Sequence, residues 1–353
     1  MELWDENIRK VVPYVPGEQP NIEGMIKLNT NENPYPPAPG VKDAFENMDT
    51  EKNLRLYPDP TVSLLNKKLA EYYGIKEEQV FSGVGSDDVL AMAFMTFFNS
   101  DKPILFPNIT YSFYPVWCNL FNIPYINPKL TEDFYIVKED YYQDNGGIVI
   151  ANPNAPTSIY ENLSFIEDIV RHNQESIVII DEAYIDFAGP SALELIDKYR
   201  NLLVVQTFSK SRSLAGMRIG YAMGDAKLIK ALNDVKHSFN SYTLNHTAII
   251  AGIEALNDKE HFDKNTKKIL NTRDRLMKEL GRLGFTFPES ATNFVFASHK
   301  NASAKEIYEG LRKKKIFVRY FNLPKIDNYI RITIGTDSEI DALLSALENF
   351  KLF

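Results

Sequence analysis

Cysteine is almost absent. The 353-residue chain holds one, Cys118, so no internal disulfide can form. A small packed side chain in a reducing compartment is the expectation for it. Long apolar runs are missing as well, and none approaches the ~20 residues of a membrane span. The opening MELWDENIRK has no basic stretch followed by an apolar one, so no secretion signal is read there. Positive charge is not in excess. The net charge of −8 argues against nucleic acid or an acidic membrane surface as the main partner. The five histidines (His172, His237, His246, His261, His299) show no metal-site spacing. Neither G-x-G-x-x-G nor G-x-x-x-x-G-K-[ST] occurs. What remains is an ordinary globular composition, 44% hydrophobic and 24% charged, large enough for two domains and expected in the cytoplasm.

Residues 1–39 carry Pro13, Pro16, Pro20, Pro34, Pro36, Pro37 and Pro39, which exclude long helices. LNTNENPYPPAP (Leu28 to Pro39) is too rich in Asn for a spacer and reads as an ordered arm. Pro60, after Asp59 as N-cap, opens a helix with Leu64, Leu65, Leu69, Tyr72 and Tyr73 on one face, and Gly74 ends it. Short apolar runs then alternate with helical patterns. Strands are expected at Ile104–Phe106, Ile148–Ile150, Ile177–Ile180 and Leu202–Gln206, with helices near 89–98, 112–121 and 163–172. Strands separated by helices imply crossover units and an α/β fold with a mostly parallel sheet. From Asp225 the pattern changes to long helices at 225–236, 243–256 and 259–283. Strands at 293–297, 316–319 and 329–334 and helices at 304–313 and 337–352 follow, as in a smaller α/β domain. The expected division is an arm (1–39, part of the small domain and a dimer contact), a large domain (40–245) and a small C-terminal domain (246–353).

In parallel sheets functional groups sit beyond the strands' carboxyl ends. That rule selects Tyr111, Asn152 and Asn154, Asp181 and Lys210. The stretch TFSKSRSLAGMRIGY (Thr207 to Tyr221) places Ser209, Lys210 and Arg218 together. A buried lysine beside a phosphate-binding group suits a Schiff-base enzyme, because desolvation favours its neutral, nucleophilic form. The same residues also suit a solvated basic loop. Gly83-Val84-Gly85-Ser86-Asp87-Asp88 enters a helix N-terminus, which suits a phosphate, although a simple capped turn looks alike. Asp181 closes an apolar strand, where a carboxylate wants a facing cation; it also suits a turn cap. Tyr184 can donate to a phenolate oxygen, and Tyr111 can stack on a ring or fill the core. Together these residues ask for an aromatic aldehyde with a phosphate arm, a ring nitrogen and a phenolate. Pyridoxal 5′-phosphate meets that description.

On the motifs LNTNENPY, YPDP, GVGSDD, ANPNAPTS, DEAYIDF, TFSKSRSLAGMRIGY and YIRITIGT, the chain resembles the fold-type I pyridoxal-phosphate aminotransferases over nearly its whole length. Within them it is similar to the histidinol-phosphate aminotransferase family. The resemblance implies that Lys210 carries the cofactor as a Schiff base and shuttles the proton. Asp181 would pair with the ring nitrogen, Tyr184 with the phenolate oxygen, and Tyr111 would stack. Ser209, Arg218 and the backbone N–H groups of Ser86 and Asp87 would hold the phosphate, with Tyr57 reaching it from a partner subunit of a homodimer. Arg331 would bind the α-carboxylate of glutamate or the phosphate of the amino substrate, with Arg319, Tyr14 and Asn31 lining the same pocket. Where the family has Asn-Pro-Thr-Gly, this chain has Ala155-Pro156-Thr157-Ser158. Asn154, or else Asn152, is expected to replace the missing contact. The implied reaction moves an amino group between glutamate and imidazole-acetol phosphate. Rival readings are an aromatic amino-acid aminotransferase, a decarboxylase of a phosphorylated amino acid, and a cofactor-sensing regulator, which would need a DNA-binding module.

Overall fold

The apolar runs at 148–150, 177–180 and 202–206 offer no polar side, so strands built from them must be covered on both faces. A computed structural model, which describes residues 3–348 and 350, shows them covered in that way. In chain order the first part holds β1 (Ile26–Lys27), α1 (Pro39–Glu46), α2 (Thr50–Arg55), α3 (Ser63–Tyr73), β2 (Val80–Gly83) and α4 (Ser86–Phe97). Next come β3 (Ile104–Leu105), α5 (Tyr114–Phe121), β4 (Tyr125–Ile126), β5 (Gly147–Ala151), α6 (Leu163–His172), β6 (Val178–Asp181), β7 (Leu202–Thr207) and β8 (Gly220–Gly224). The last part holds α7 (Ala226–Phe239), α8 (His246–Asn257), α9 (Lys259–Arg282), β9 (Phe285–Thr286), β10 (Phe294–His299) and α10 (Ala304–Lys313). It closes with β11 (Ile316–Phe317), β12 (Arg319–Tyr320), β13 (Ile330–Thr333) and α11 (Asp337–Glu348). The expected end of that last helix at Leu352 lies outside the described residues.

The large sheet has the order β2-β8-β7-β6-β5-β3-β4. Its pairings are parallel except at β8, which runs against both β2 and β7. Successive side chains alternate between the faces. Ile148, Ile150, Val178, Ile180, Leu202 and Val204 pack with α3, α6 and α8. Val149, Ile179, Leu203 and Val205 pack with α4, α5 and α7. Each such side chain, fully buried, stabilises the fold by roughly 1.5–3 kcal/mol.

Several expectations need correction. The helix after Asp59 starts at Ser63, not Pro60, because Asp59 folds back on its own turn. Its carboxylate accepts from the N–H and hydroxyl groups of both Thr61 and Ser63. Gly74 does end the helix, at φ 69°, in the left-handed region. Strand β8 was not expected, since two glycines and a motif boundary hide it. Helix α8 packs Ala248, Ile249, Ala251 and Ala255 in the core of the large sheet. A boundary at 245/246 therefore separates a helix from the core it shares. A second core joins α9, α10, α11, β10 and β13, and Leu28 of the arm sits in it. β1 pairs in parallel with β11, Ile26 opposite Ile316.

Candidate active site

The carboxyl ends of β5, β6 and β7, the N-terminus of α4, the arm and β12–β13 enclose a cavity of about 430 Å³. Asp181 ends β6 and is buried. One of its oxygens accepts from Tyr114 Oη at 2.7 Å and the other from Ala183 N–H at 3.2 Å. Burial still pushes its carboxyl up to about 6. It forms no ion pair with a basic side chain among the described residues. A buried carboxylate at the cavity wall, with no basic side chain paired to it, fits a cationic ring nitrogen.

The opposite end is shaped for an anion. Gly85, at φ 85°, leads into α4, whose first N–H groups lack a side-chain cap. A Cβ at Gly220 would lie 2.2 Å from Gly85 C and Ser86 N, so glycine there is what lets β8 lie against this turn. Arg218 Nη1 donates to Ala215 O at 3.1 Å and lies 3.4 Å from Ser209 Oγ. Its Nη2 is 3.6 Å from Asp87 Oδ2. Ser86, Asp87, Ser209 and Arg218 all border the cavity. Asp87 also accepts from Tyr111 Oη at 2.7 Å, which fixes that ring at the cavity wall, and burial beside this carboxylate pushes the Tyr111 phenol well up.

Between the two ends stands Lys210, half-buried rather than buried. Its amine donates to Thr30 O at 3.1 Å and lies 5.7 Å from the Tyr184 ring centre. Tyr184 follows β6, and its hydroxyl accepts from Asn31 Nδ2 at 2.8 Å. On the far wall β12 and β13 pair in antiparallel register with Arg319 directly opposite Arg331. Like charges in that register repel, and neither arginine has a carboxylate partner among the described residues. Burial lowers the Arg331 pKa from its usual value, and its Nε is buried without a partner. Nη2 donates to Asn29 O at 3.1 Å, and the guanidinium rests over Phe294 and Phe321. Tyr14 stacks on Phe113 at 4.1 Å beside this wall.

Twelve of the fourteen expected site residues therefore meet in one cavity. Asn154 does not. Its Nδ2 donates to Ile109 O and Thr157 Oγ1, and its Oδ1 accepts from Thr110 Oγ1, so the amide is fully used between its own loop and the loop after β3. Asn152 is likewise tied to both backbone groups of Glu161. Tyr57 is 79% exposed, stacked on Tyr242 at 4.6 Å, and lies outside its own chain's cavity. Sequence reasoning missed Tyr114 and Thr30. Tyr114 looks like core in an apolar helix; its one signal is that a buried tyrosine hydroxyl needs a partner. Thr30 acts through its carbonyl, which no side-chain pattern reveals.

A lysine between a buried carboxylate and an anion cradle, at the strand ends of such a sheet, defines a pyridoxal-phosphate enzyme of fold type I. Comparison with known proteins agrees. Residues 23–347 match the model of the family "Aminotransferase class I and II". The histidinol-phosphate aminotransferase of Lactococcus lactis subsp. cremoris strain MG1363 is 50% identical over 347 residues, covering 98% of this chain and 97% of its own. That of Clostridium acetobutylicum strain ATCC 824 is 50% identical over 347 residues, covering 98% of each chain. The crystal structure of the Sinorhizobium meliloti enzyme, solved with pyridoxal 5′-phosphate, superimposes with a TM-score of 0.83 at 24% identity, covering 91% of this chain and 89% of that one. The chain belongs to the class I and II aminotransferases, and within them to the histidinol-phosphate aminotransferase family. Its cofactor is pyridoxal 5′-phosphate.

Proposed function

We propose that the protein moves an amino group between glutamate/2-oxoglutarate and imidazole-acetol phosphate/histidinol phosphate, as a step of histidine synthesis. The observation that carries this reading is the unpaired Arg319–Arg331 couple facing Lys210 across one cavity. Two guanidinium forks accept either a carboxylate or a phosphate, as alternating substrates require. When bound, pyridoxal phosphate supplies an electrophilic carbon and an electron sink. Asp181 would hold the positive charge at the ring nitrogen, Tyr184 would donate to the ring oxygen, and Ser209, Arg218 and the start of α4 would hold the phosphate. Lys210 is the nucleophile, and its Nζ takes and returns the proton at the substrate's reacting carbon.

A half-reaction tests the substrate. The loaded enzyme, given histidinol phosphate alone, should release one equivalent of imidazole-acetol phosphate per site, at a rate competitive with glutamate. No release with histidinol phosphate but rapid conversion of phenylalanine or tyrosine would move the substrate to the aromatic class. Release of carbon dioxide with no amino acceptor would make it a decarboxylase.

The exposed Tyr57, outside its own cavity, supports a homodimer in which Tyr57 reaches the partner's phosphate. The single buried cysteine accords with a cytoplasmic location. Native mass measured on fractionated cells checks both. Twice the chain mass in the cytoplasmic fraction is expected. A monomer removes the shared site, and recovery from another compartment removes the location.

A further inference from the structure

Asn31 lines the cavity, yet its polar groups are already assigned. Its N–H donates to Thr333 Oγ1 at 3.0 Å, and the Thr333 hydroxyl in turn donates to Asn31 Oδ1 at 2.9 Å. Asn293 Nδ2 donates to Asn31 O at 3.0 Å. With Asn31 Oδ1 taken by the Thr333 hydroxyl, the amide nitrogen lies on the other side. The nitrogen Nδ2 is therefore the atom that meets Tyr184 Oη at 2.8 Å. Tyr184 Oη accepts that bond, so its single hydrogen is free to point into the cavity. The backbone at Asn31 has φ 58°, a left-handed conformation that asparagine tolerates. Asn31, Asn293 and Thr333 are all buried.

We infer that Asn31 is a positioning residue rather than a substrate-binding one: it sets the Tyr184 hydroxyl as a donor aimed at the cofactor's ring oxygen. Ala155 lines the same cavity and brings no polar side-chain atom, and Asn152 and Asn154 are committed elsewhere. Tyr184 is thus left as the side-chain donor for that oxygen, and its direction matters more for being unshared. The adjacent residue, Thr30, takes the Lys210 amine on its carbonyl. Two consecutive residues of the arm therefore hold the Tyr184 hydroxyl and the Lys210 amine. β13 and the residue preceding β10 hold the arm in turn.

The inference rests on the reading of the cavity as a pyridoxal-phosphate site. The test measures the visible absorption of the loaded protein against pH in Asn31→Ala, Asn31→Asp, Tyr184→Phe and the double variant Asn31→Ala/Tyr184→Phe. A donor at the ring oxygen shares the negative charge that otherwise holds the proton at the Lys210 nitrogen. Loss of a well-aimed donor should raise the midpoint of the absorption change by about one pH unit, a tenfold change in proton affinity. Asn31→Asp preserves shape but accepts the Tyr184 proton, turning it away from the cavity, so its midpoint should rise at least as far. In the Tyr184→Phe background, Asn31→Ala should add nothing, as expected for a residue acting through another. The KM for glutamate should stay within about twofold while kcat falls about tenfold. An unchanged midpoint with a raised KM would overturn the inference and return Asn31 to the substrate. If the unsubstituted protein shows no visible band with pyridoxal phosphate, the cofactor reading itself fails.

Discussion

Lys210→Ala should lower transamination by at least about 10⁴-fold, since it removes both the nucleophile and the proton carrier. The fold should survive. The lysine is half-buried, and among the described residues its amine makes one hydrogen bond, to Thr30 O. Losing a single such bond costs about 1 kcal/mol, so circular dichroism and melting should stay close to those of the parent. The truncation leaves space beside a cavity of about 430 Å³. Added methylamine or ethylamine should therefore restore part of the proton transfer, with a rate that rises with amine concentration. Product formation by the variant within tenfold of the parent, without amine, would remove Lys210 from the chemistry.

Asp181→Asn should cut turnover by about 10³-fold, the scale on which removing a preorganised charge from an enclosed site is felt. A second effect belongs to the cofactor-free protein. Burial raises the Asp181 carboxyl from 3.8 to about 6. The folded state then holds a proton that the unfolded state has released. Its stabilising contribution is complete below about pH 4 and is lost as pH rises to about 6. The loss amounts to about 3 kcal/mol at most. Glu182, buried behind it and raised to about 7, adds a loss of the same sign that extends to higher pH. Calorimetry of the cofactor-free protein should show melting temperature falling between pH 4 and 7. The Asn variant should lose the Asp181 part of that fall and keep the rest. Identical pH profiles for parent and variant would contradict the raised Asp181 pKa. Equal turnover would remove its role at the ring nitrogen.

Much of this was legible in the sequence, for a physical reason. Strands covered on both faces must be continuously apolar, so 148–150, 177–180 and 202–206 declared themselves, and the strand-end rule then led to Asp181 and Lys210. Helices α6 and α10 agree with their expected bounds because amphipathic period and caps coincide there, Asn162 accepting from Phe165 N–H and Ser303 from Glu306 N–H. The two-residue strands β4 and β9 are too short to carry a period. Asn154 failed because proximity in sequence says nothing about which neighbours claim an amide. The distinction between Asn31 and Asn154 lies in partners 302 and 44 positions away, respectively, and no local pattern encodes them.

The pairing of the arm with the C-terminal sheet also bears on how the protein is made. Synthesis delivers Ile26, Lys27 and Asn31 early, whereas their partners at 316–317 and 333 emerge about 300 residues later. Until then Leu28 has no core to enter, and Asn31 lacks the bonds to Asn293 and Thr333 that hold it. A nascent chain can assemble the large sheet and present Lys210 and Asp181 well before Asn293 and Thr333, which hold Asn31 against Tyr184, exist. Such long-range closure is slow relative to local structure. The order of synthesis thus leaves the arm beside the reactive lysine unanchored until the last strand has left the ribosome.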